Sequence, residues 1–313
     1  MVATPARSPA NRSCRGETHR RAPAITVPMT SAAVAAPAGT RPRCRSAPVS
    51  IDITVPHAAR MYDYLLGGTT NFAVDRQAVE QAADAMGGLD RARAQARANR
   101  SFLRRAVRHL AGEANVRQFL DIGTGVPNGD GTLDVAQRIA PASRVVHVDN
   151  DPVVLAHAHV LLRSTSEGAS AYVDGDLRDP EAILREAAQT LDLARPVALV
   201  LAEVLDLVPD DDDPHGIVAR LVDAVPPGSY LVVSHLTADV RPEPMAALAE
   251  RLNCSARETY VLRDHTEVRR FFDGLDLVEP GVVPIDRWRP GRVAPGAARR
   301  RSPSIYAAVG RKR

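Results

Sequence analysis

The chain has 313 residues, 45% of them hydrophobic, enough for one large α/β domain with additions or for two small ones. The formal net charge of +3 hides a division: residues 1–50 hold eight Arg and one acid, residues 287–313 hold nine Arg or Lys and no acid, and residues 51–286 hold 23 Arg against 36 Asp or Glu, a net −13. An acidic body argues against a nucleic-acid groove, which needs a basic face, and no apolar run approaches the length that spans a bilayer.

Residues 1–50 are rich in Arg, Pro, Ala, Ser and Thr with no helical or strand period, and are expected to be a disordered leader. Their composition also resembles an Arg-rich, acid-poor transit peptide, whereas Pro23, Pro28 and Pro37 break any secretory apolar stretch. Cys14, Cys44 and Cys254 show no paired spacing and no His partner at metal spacing. They are expected to be free thiols of a cytoplasmic protein, with neither a disulfide nor a metal site. Residues 51–115 read as an N-terminal helical unit. Helices are predicted at His57–Leu66, stopped by Gly67-Gly68, at Val74–Met86, stopped by Gly87-Gly88, and at Ala92–Ala111, with Phe102, Leu103, Ala106, Val107 and Leu110 on one stripe.

From Val116 the pattern alternates. Strands are predicted at Arg117–Ile122, Arg144–Asp149, Ala169–Asp174, Val197–Val204 and Ser229–His235. The helices between and after them are Thr132–Ile139, Pro152–Leu162, Pro180–Leu191, Pro214–Ala224 and Pro242–Leu252. Such alternation, with short apolar strands, implies a Rossmann-like, mostly parallel sheet covered by helices on both faces. A helix at Glu267–Phe272 follows, then strands Leu275–Val283 and Ser304–Val309 with no helix between them, an antiparallel hairpin at one sheet edge. Residues 116–313 would form this second unit.

The chemistry-bearing residues cluster at strand ends. Phe119-Leu120-Asp121-Ile122-Gly123-Thr124-Gly125 ends an apolar strand in Asp-x-Gly-x-Gly, where glycines allow a sharp turn and close approach of a ligand. In Val148-Asp149-Asn150-Asp151-Pro152, Asp149 can accept from ribose hydroxyls while Asp151 caps the next helix. In Asp174-Gly175-Asp176-Leu177, Asp176 can accept from an adenine amino group with Leu177 packed on the ring. Glu203 and Asp206 close the fourth strand beside the expected crevice. The run Asp210–Asp213 reads as a solvated loop, with Asp213 capping the helix at Pro214. A nicotinamide cofactor would favour a third glycine, where Asn128 stands, and its diphosphate would meet Asp121 and Asp130. S-adenosylmethionine carries no phosphate and a positive sulfonium, so an acidic cleft suits it.

The same segments resemble the successive motifs of class I S-adenosylmethionine-dependent methyltransferases. More narrowly, Ala59-Arg60-Met61-Tyr62-Asp63-Tyr64-Leu65-Leu66-Gly67-Gly68, Asn71-Phe72, Asp75-Arg76, Asn99-Arg100-Ser101-Phe102-Leu103, Pro226-Pro227-Gly228-Ser229-Tyr230-Leu231 and Trp288-Arg289-Pro290 resemble an actinobacterial S-adenosyl methyltransferase family. The resemblance covers about residues 52–313. It implies a seven-stranded sheet with an inserted antiparallel last strand and a helical cap over the cofactor. It further implies that Tyr62, Gly67, Gly68, Asn71 and Arg76 face the cleft and that Arg100 reaches the methionine carboxylate. The expected activity is methyl transfer to a small-molecule acceptor, without nucleic acid or membrane. A non-catalytic S-adenosylmethionine-binding regulator and a nicotinamide-dependent oxidoreductase are the alternatives. No catalytic residue stands out; Asp206 and His235 are the two candidate bases, and His235 reads more readily as a capping or core residue than as a base.

Overall fold

The computed structural model describes residues 25–26, 50–127, 129–161, 164–290 and 302–313. Three helices come first. Helix α1 (Ala58–Leu66) starts after His57, whose ring Nδ1 lies 3.4 Å from Ala59 N, and is closed by Gly67 in the left-handed region at φ +85°. Helix α2 (Ala73–Met86) has Asp75 in its first turn, whose carboxylate accepts from Phe72 N–H at 2.8 Å. Helix α3 (Leu89–Gly112) begins three residues before the predicted Ala92, and its apolar stripe from Phe102 to Leu110 is buried.

The sheet strands are β1 (Gln118–Ile122), β2 (Arg144–Asp149), β3 (Ala169–Asp174), β4 (Ala198–Ala202), β5 (Tyr230–Leu236), β6 (Leu275–Leu277), β7 (Val283–Pro284) and β8 (Ile305–Lys312). Their order is β3-β2-β1-β4-β5-β8-β6, with β7 also beside β8. The first five pair in parallel, and β8 runs antiparallel between β5 and β6. The predicted hairpin therefore exists, but its second strand is inserted into the sheet and its first forms the edge. Helices α4 (Thr132–Ile139), α5 (Pro152–Leu161), α6 (Pro180–Ala187), α7 (Pro214–Asp223), α8 (Pro242–Ser255) and α9 (His265–Arg270) complete the fold. Pro at the first turn and an Asp cap start α6 and α7: Asp179 accepts from Ala182 N–H and Asp213 from Gly216 N–H, each at 3.0 Å.

Alternate strand residues feed two buried clusters on opposite sheet faces. Phe119, Val145, Val200 and Val232 share one cluster with Met61, Met86, Phe102, Leu110 and Trp288, so α1–α3 are part of a core with the sheet. Leu120, Val146, Leu201 and Val233 share the other with Ile183, Ile217, Leu221 and Phe271. Among the described residues no helix is long and apolar enough to cross a membrane.

Four departures from the sequence pattern matter. Strand β4 stops at Ala202 instead of Val204, because Glu203 turns into the left-handed region at φ +53° and Leu205–Leu207 coils as a 3-10 turn. Asp210–Asp212 is a second such turn, and Asp210 is engaged rather than merely solvated, accepting from Arg263 Nη2 at 2.6 Å. The predicted strand Leu275–Val283 is split into β6 and β7 by a turn at Pro280-Gly281, where proline supplies no ladder donor and Gly281 sits at φ +83°. Cys254 is disulfide-bonded, which corrects the expectation of three free thiols; the other two cysteines, Cys14 and Cys44, lie outside the described residues, as does Asn128. Within the expected leader, Ile25–Thr26 pairs antiparallel with Ser50–Ile51; the remainder of residues 1–49 lies outside the described residues.

Candidate active site

The C-terminal ends of β1, β2 and β4 face one cavity of about 220 Å³ beneath α1–α3. In an open parallel sheet this is the place where ligands bind, since the loops leaving adjacent strands diverge there. After β1 the chain folds back over β2: Gly123 N–H and Thr124 N–H both donate to Val148 O, at 2.8 and 3.1 Å. Gly123 sits at φ +72°, and a Cβ there would meet Val204 at 2.6 Å, so only glycine fits. Gly125, at φ +68°, differs: an added Cβ would meet nothing within 4 Å, leaving open space beside the backbone.

Asp121 is buried under this loop. Thr124 Oγ1 donates to its Oδ2 at 2.9 Å, and His147 Nδ1 lies 3.6 Å from the same oxygen. Burial pushes its carboxyl up, but the neighbouring His147, aided by Thr132 and Thr124, outweighs that and holds it below the usual carboxylate range. Its carboxylate thus fixes the glycine loop from inside while the residue lines the cavity.

Asp149, at the end of β2, is tied to both sides: Gly125 N–H donates to Oδ2 at 2.8 Å and Asp151 N–H to Oδ1 at 3.0 Å. Burial raises this carboxyl to about 6 despite those donors. Each oxygen keeps a lone pair for a further donor. Asp151 does more than cap α5. Its Oδ1 accepts from Val153 N–H at 2.9 Å, while Oδ2 meets Arg60 Nε at 3.0 Å and His57 Nδ1 at 3.2 Å. His57 Nε2 lies 3.0 Å from Glu258 Oε1. This buried latch docks α1 and the segment after α8 on the tip of β2. Burial would lower the His57 pKa, but Glu258 and Asp151 outweigh it and raise it above its ordinary value.

Glu203 and Asp206 stand across the cavity. Asn99 Nδ2 donates to Glu203 Oε2 at 2.8 Å, and Asn99 is itself held by Ser234 Oγ at 2.7 Å and lies 3.1 Å from the Tyr62 hydroxyl. Burial raises the Glu203 carboxyl well above the usual range, and Asp206 adds to it against the pull of Arg100. Arg100 stacks its guanidinium over Tyr62, 5.5 Å from the ring centroid, and its buried Nε has no partner among the described residues. Asp206 Oδ1 accepts from Leu236 N–H at 2.9 Å and lies 2.7 Å from His235 Nδ1, whereas Oδ2 is buried with no partner among the described residues. Arg263 Nη1 donates to His235 Nε2 at 2.9 Å. Arginine can only donate, so Nδ1 carries the ring hydrogen and donates it to Leu236 O at 2.8 Å, beside Asp206. His235 is fully buried and does not line the cavity; of the two candidate bases only Asp206 reaches it.

The cavity therefore gathers Asp121, Gly123, Thr124, Gly125, Asp149, Asn150, Asp176, Leu177, Glu203 and Arg100, ten of the twelve residues expected from sequence. Asp176 is at its exposed edge, paired with Arg178 at 3.2 Å. Asn71 and Arg76 are not brought there. Asn71 donates to Asp63 Oδ2 and Gly68 O, and Arg76 donates back to Asn71, so both lock the α1–α2 turn. Gly67 and Gly68 belong to the same turn, where a Cβ on Gly68 would strike the Asp63 carboxylate; of the cleft residues implied by resemblance, Tyr62 alone lines the cavity besides Arg100. Asn99, Glu258 and Tyr260 were missed. Asn99 adjoins Arg100 on the buried side of α3, a signal the helical period could have given; the other two arrive through long-range folding after α8. The far end of the cavity is apolar, walled by Met61, Leu65, Val79, Ala83, Met86, Leu103, Leu248 and Leu252 from α1, α2, α3 and α8.

A model of the S-adenosyl methyltransferase family matches residues 45–313. A DUF574 family protein from Streptomyces avermitilis is 43% identical, with a TM-score of 0.77 over 83% of this chain and 98% of that one. A Thermobifida fusca protein assigned as a methyltransferase is 38% identical, with a TM-score of 0.75 over 84% of this chain and 97% of its own. This chain belongs to the S-adenosyl methyltransferase family. The methyltransferase is therefore S-adenosylmethionine-dependent, and the nicotinamide and non-catalytic alternatives are set aside. Its cavity suits that cofactor: open space at Gly125, an unpartnered buried guanidinium nitrogen on Arg100, and carboxylates in place of phosphate-binding groups. No curated protein sequence matches the chain.

Proposed function

We propose that this methyltransferase modifies a small, largely apolar acceptor bound between α1, α2, α3 and α8. The observation that carries this reading is the continuity of one cavity from the acidic strand tips to an apolar end walled by Met61, Leu65, Met86, Leu103 and Leu248. Apolar walls with a few convergent polar groups suit a small organic ligand, and an acidic surround is unsuited to a polyanion.

In this reading Asp149 receives the ribose hydroxyls, Gly123, Thr124 and Gly125 give the nucleoside room to lie against the backbone, and Asn150, Asp176 and Leu177 border the adenine. Arg100 offers its Nε to the methionine carboxylate. Asp121 orders the loop that the others depend on. When bound, S-adenosylmethionine supplies an electrophilic methyl group on a positive sulfur. The protein's own part is to align the acceptor and exclude water, which the helical roof does.

Turnover with a metabolite extract, read as S-adenosylhomocysteine release, tests the reading. Ala83 lines the apolar end, so Ala83→Phe should abolish turnover while leaving S-adenosylhomocysteine affinity unchanged. Equal turnover by the variant would remove this end of the cavity as the acceptor site.

A further inference from the structure

We propose that Glu203 is the carboxyl that answers the positive sulfur of S-adenosylmethionine, holding a proton at Oε1 in the unliganded protein and releasing it when the cofactor binds. The inference rests on the cofactor reading above and concerns this chain's own proton. Glu203 stands at the C-terminal end of β4, the strand next to β1, so it faces the glycine loop across the switch point of the sheet. Its backbone is held left-handed at φ +53°, a conformation a non-glycine residue adopts at a cost and which aims the side chain off the strand. Asn99 holds Oε2, and Oε1 takes no hydrogen bond from the described residues.

The groups around it decide its charge. Arg100 comes from α3, Tyr62 from α1, Asp206 from the turn after β4 and Tyr260 from the segment after α8; Asp121 and Asp149 line the same cavity from β1 and β2. One guanidinium faces several carboxylates, so in the empty cavity a further negative charge at Glu203 is disfavoured by burial and by Asp206. A cation entering the cavity reverses the balance. A neutral sulfur in the same place does not. Glu203 would therefore separate the charged cofactor from its neutral product, S-adenosylhomocysteine. The proton that a hydroxyl or amine acceptor must shed then has a place to go: the acceptor's O–H or N–H bond breaks and an O–H bond forms at Glu203 Oε1, restoring the neutral carboxyl.

Isothermal titration of the full chain at pH 7.5, in two buffers of different ionisation enthalpy, reads proton release directly. S-adenosylmethionine should release protons on binding and S-adenosylhomocysteine far fewer. Glu203→Gln should lose the proton release and shift the affinity ratio of the two ligands by about tenfold toward the product. Equal proton release with both ligands in the wild type, or release retained in Glu203→Gln, would overturn the inference and leave the cofactor reading standing. Failure of both ligands to bind would overturn the cofactor reading itself, and this inference with it. The wild-type comparison needs no variant, so a misfolded Glu203→Gln does not spare the proposal.

Discussion

Single residues in the glycine loop have separable jobs. Gly123 and Gly125 share a left-handed backbone, but a Cβ meets Val204 only at Gly123. Gly123→Ala should therefore cost about 3 kcal/mol of stability, read by denaturant unfolding, from strain and overlap together. Gly125→Ala should cost only about 1 kcal/mol, the left-handed penalty alone, yet weaken S-adenosylhomocysteine binding because the methyl fills the open space. Equal destabilisation by the two would contradict the contact geometry. Asp149 adds a pH dependence. Burial raises its carboxyl to about 6. In its proposed role it accepts from ribose as a carboxylate above that value; as pH falls through it, the carboxyl gains a proton and loses acceptor capacity. S-adenosylhomocysteine affinity should fall accordingly between pH 7 and 5, and a flat profile would argue against the ribose role. Residue identities at strand ends were legible in the sequence because an acid or glycine ending an apolar run is unusual. The inward turn of Asn71 and Arg76 was not, because it depends on Asp63, a buried partner whose orientation no local pattern encodes.

At the scale of elements, the latch between α1 and β2 is the most consequential contact. Asp151, Arg60 and His57 are 1%, 4% and 5% exposed, so their charges are desolvated and must be paired. Asp151→Ala would take from Arg60 the carboxylate bonded to its Nε and from His57 one of its two carboxylate neighbours, and should cost about 3–5 kcal/mol. His57 sets a pH slope. Its folded pKa is raised above 6.5, so its contribution is complete below 6.5 and is lost as pH rises through the folded value. The melting temperature should decline over that window in the wild type, and the decline should be absent in His57→Gln; a persisting slope would assign it to another group. Most elements were readable because hydrophobic period and Pro or Gly punctuation agree, as at α4, β2 and β3, where the boundaries coincide with expectation. β4 was overdrawn because Val204 looks like strand, and only the packing of Val204 on Gly123 reveals that the chain has already turned.

For the whole molecule, the sequence pattern conveyed the sheet and its ligand edge but not the roof. The alternation of apolar strands and helices fixes which ends carry loops, and the acids at Asp121, Asp149 and Glu203 mark that edge. The apolar end of the cavity is assembled from α1, α2, α3 and α8, which are far apart in the chain, and each residue there reads locally as ordinary core. The same holds for Tyr260 and Glu258, delivered by the segment after α8. Part of the acidic body recognised from composition thus gathers at the strand tips, while the neighbouring end of the cavity is apolar.

In the proposed function these strand-tip carboxylates hold the nucleoside of S-adenosylmethionine. Titration calorimetry of wild type and Asp149→Ala with S-adenosylhomocysteine and with NADH tests it most directly. One saturable site is expected for S-adenosylhomocysteine, with affinity lower by about 10- to 100-fold in Asp149→Ala, and no NADH binding. Undiminished S-adenosylhomocysteine affinity in Asp149→Ala, or uptake of NADH with S-adenosylhomocysteine ignored, would contradict it.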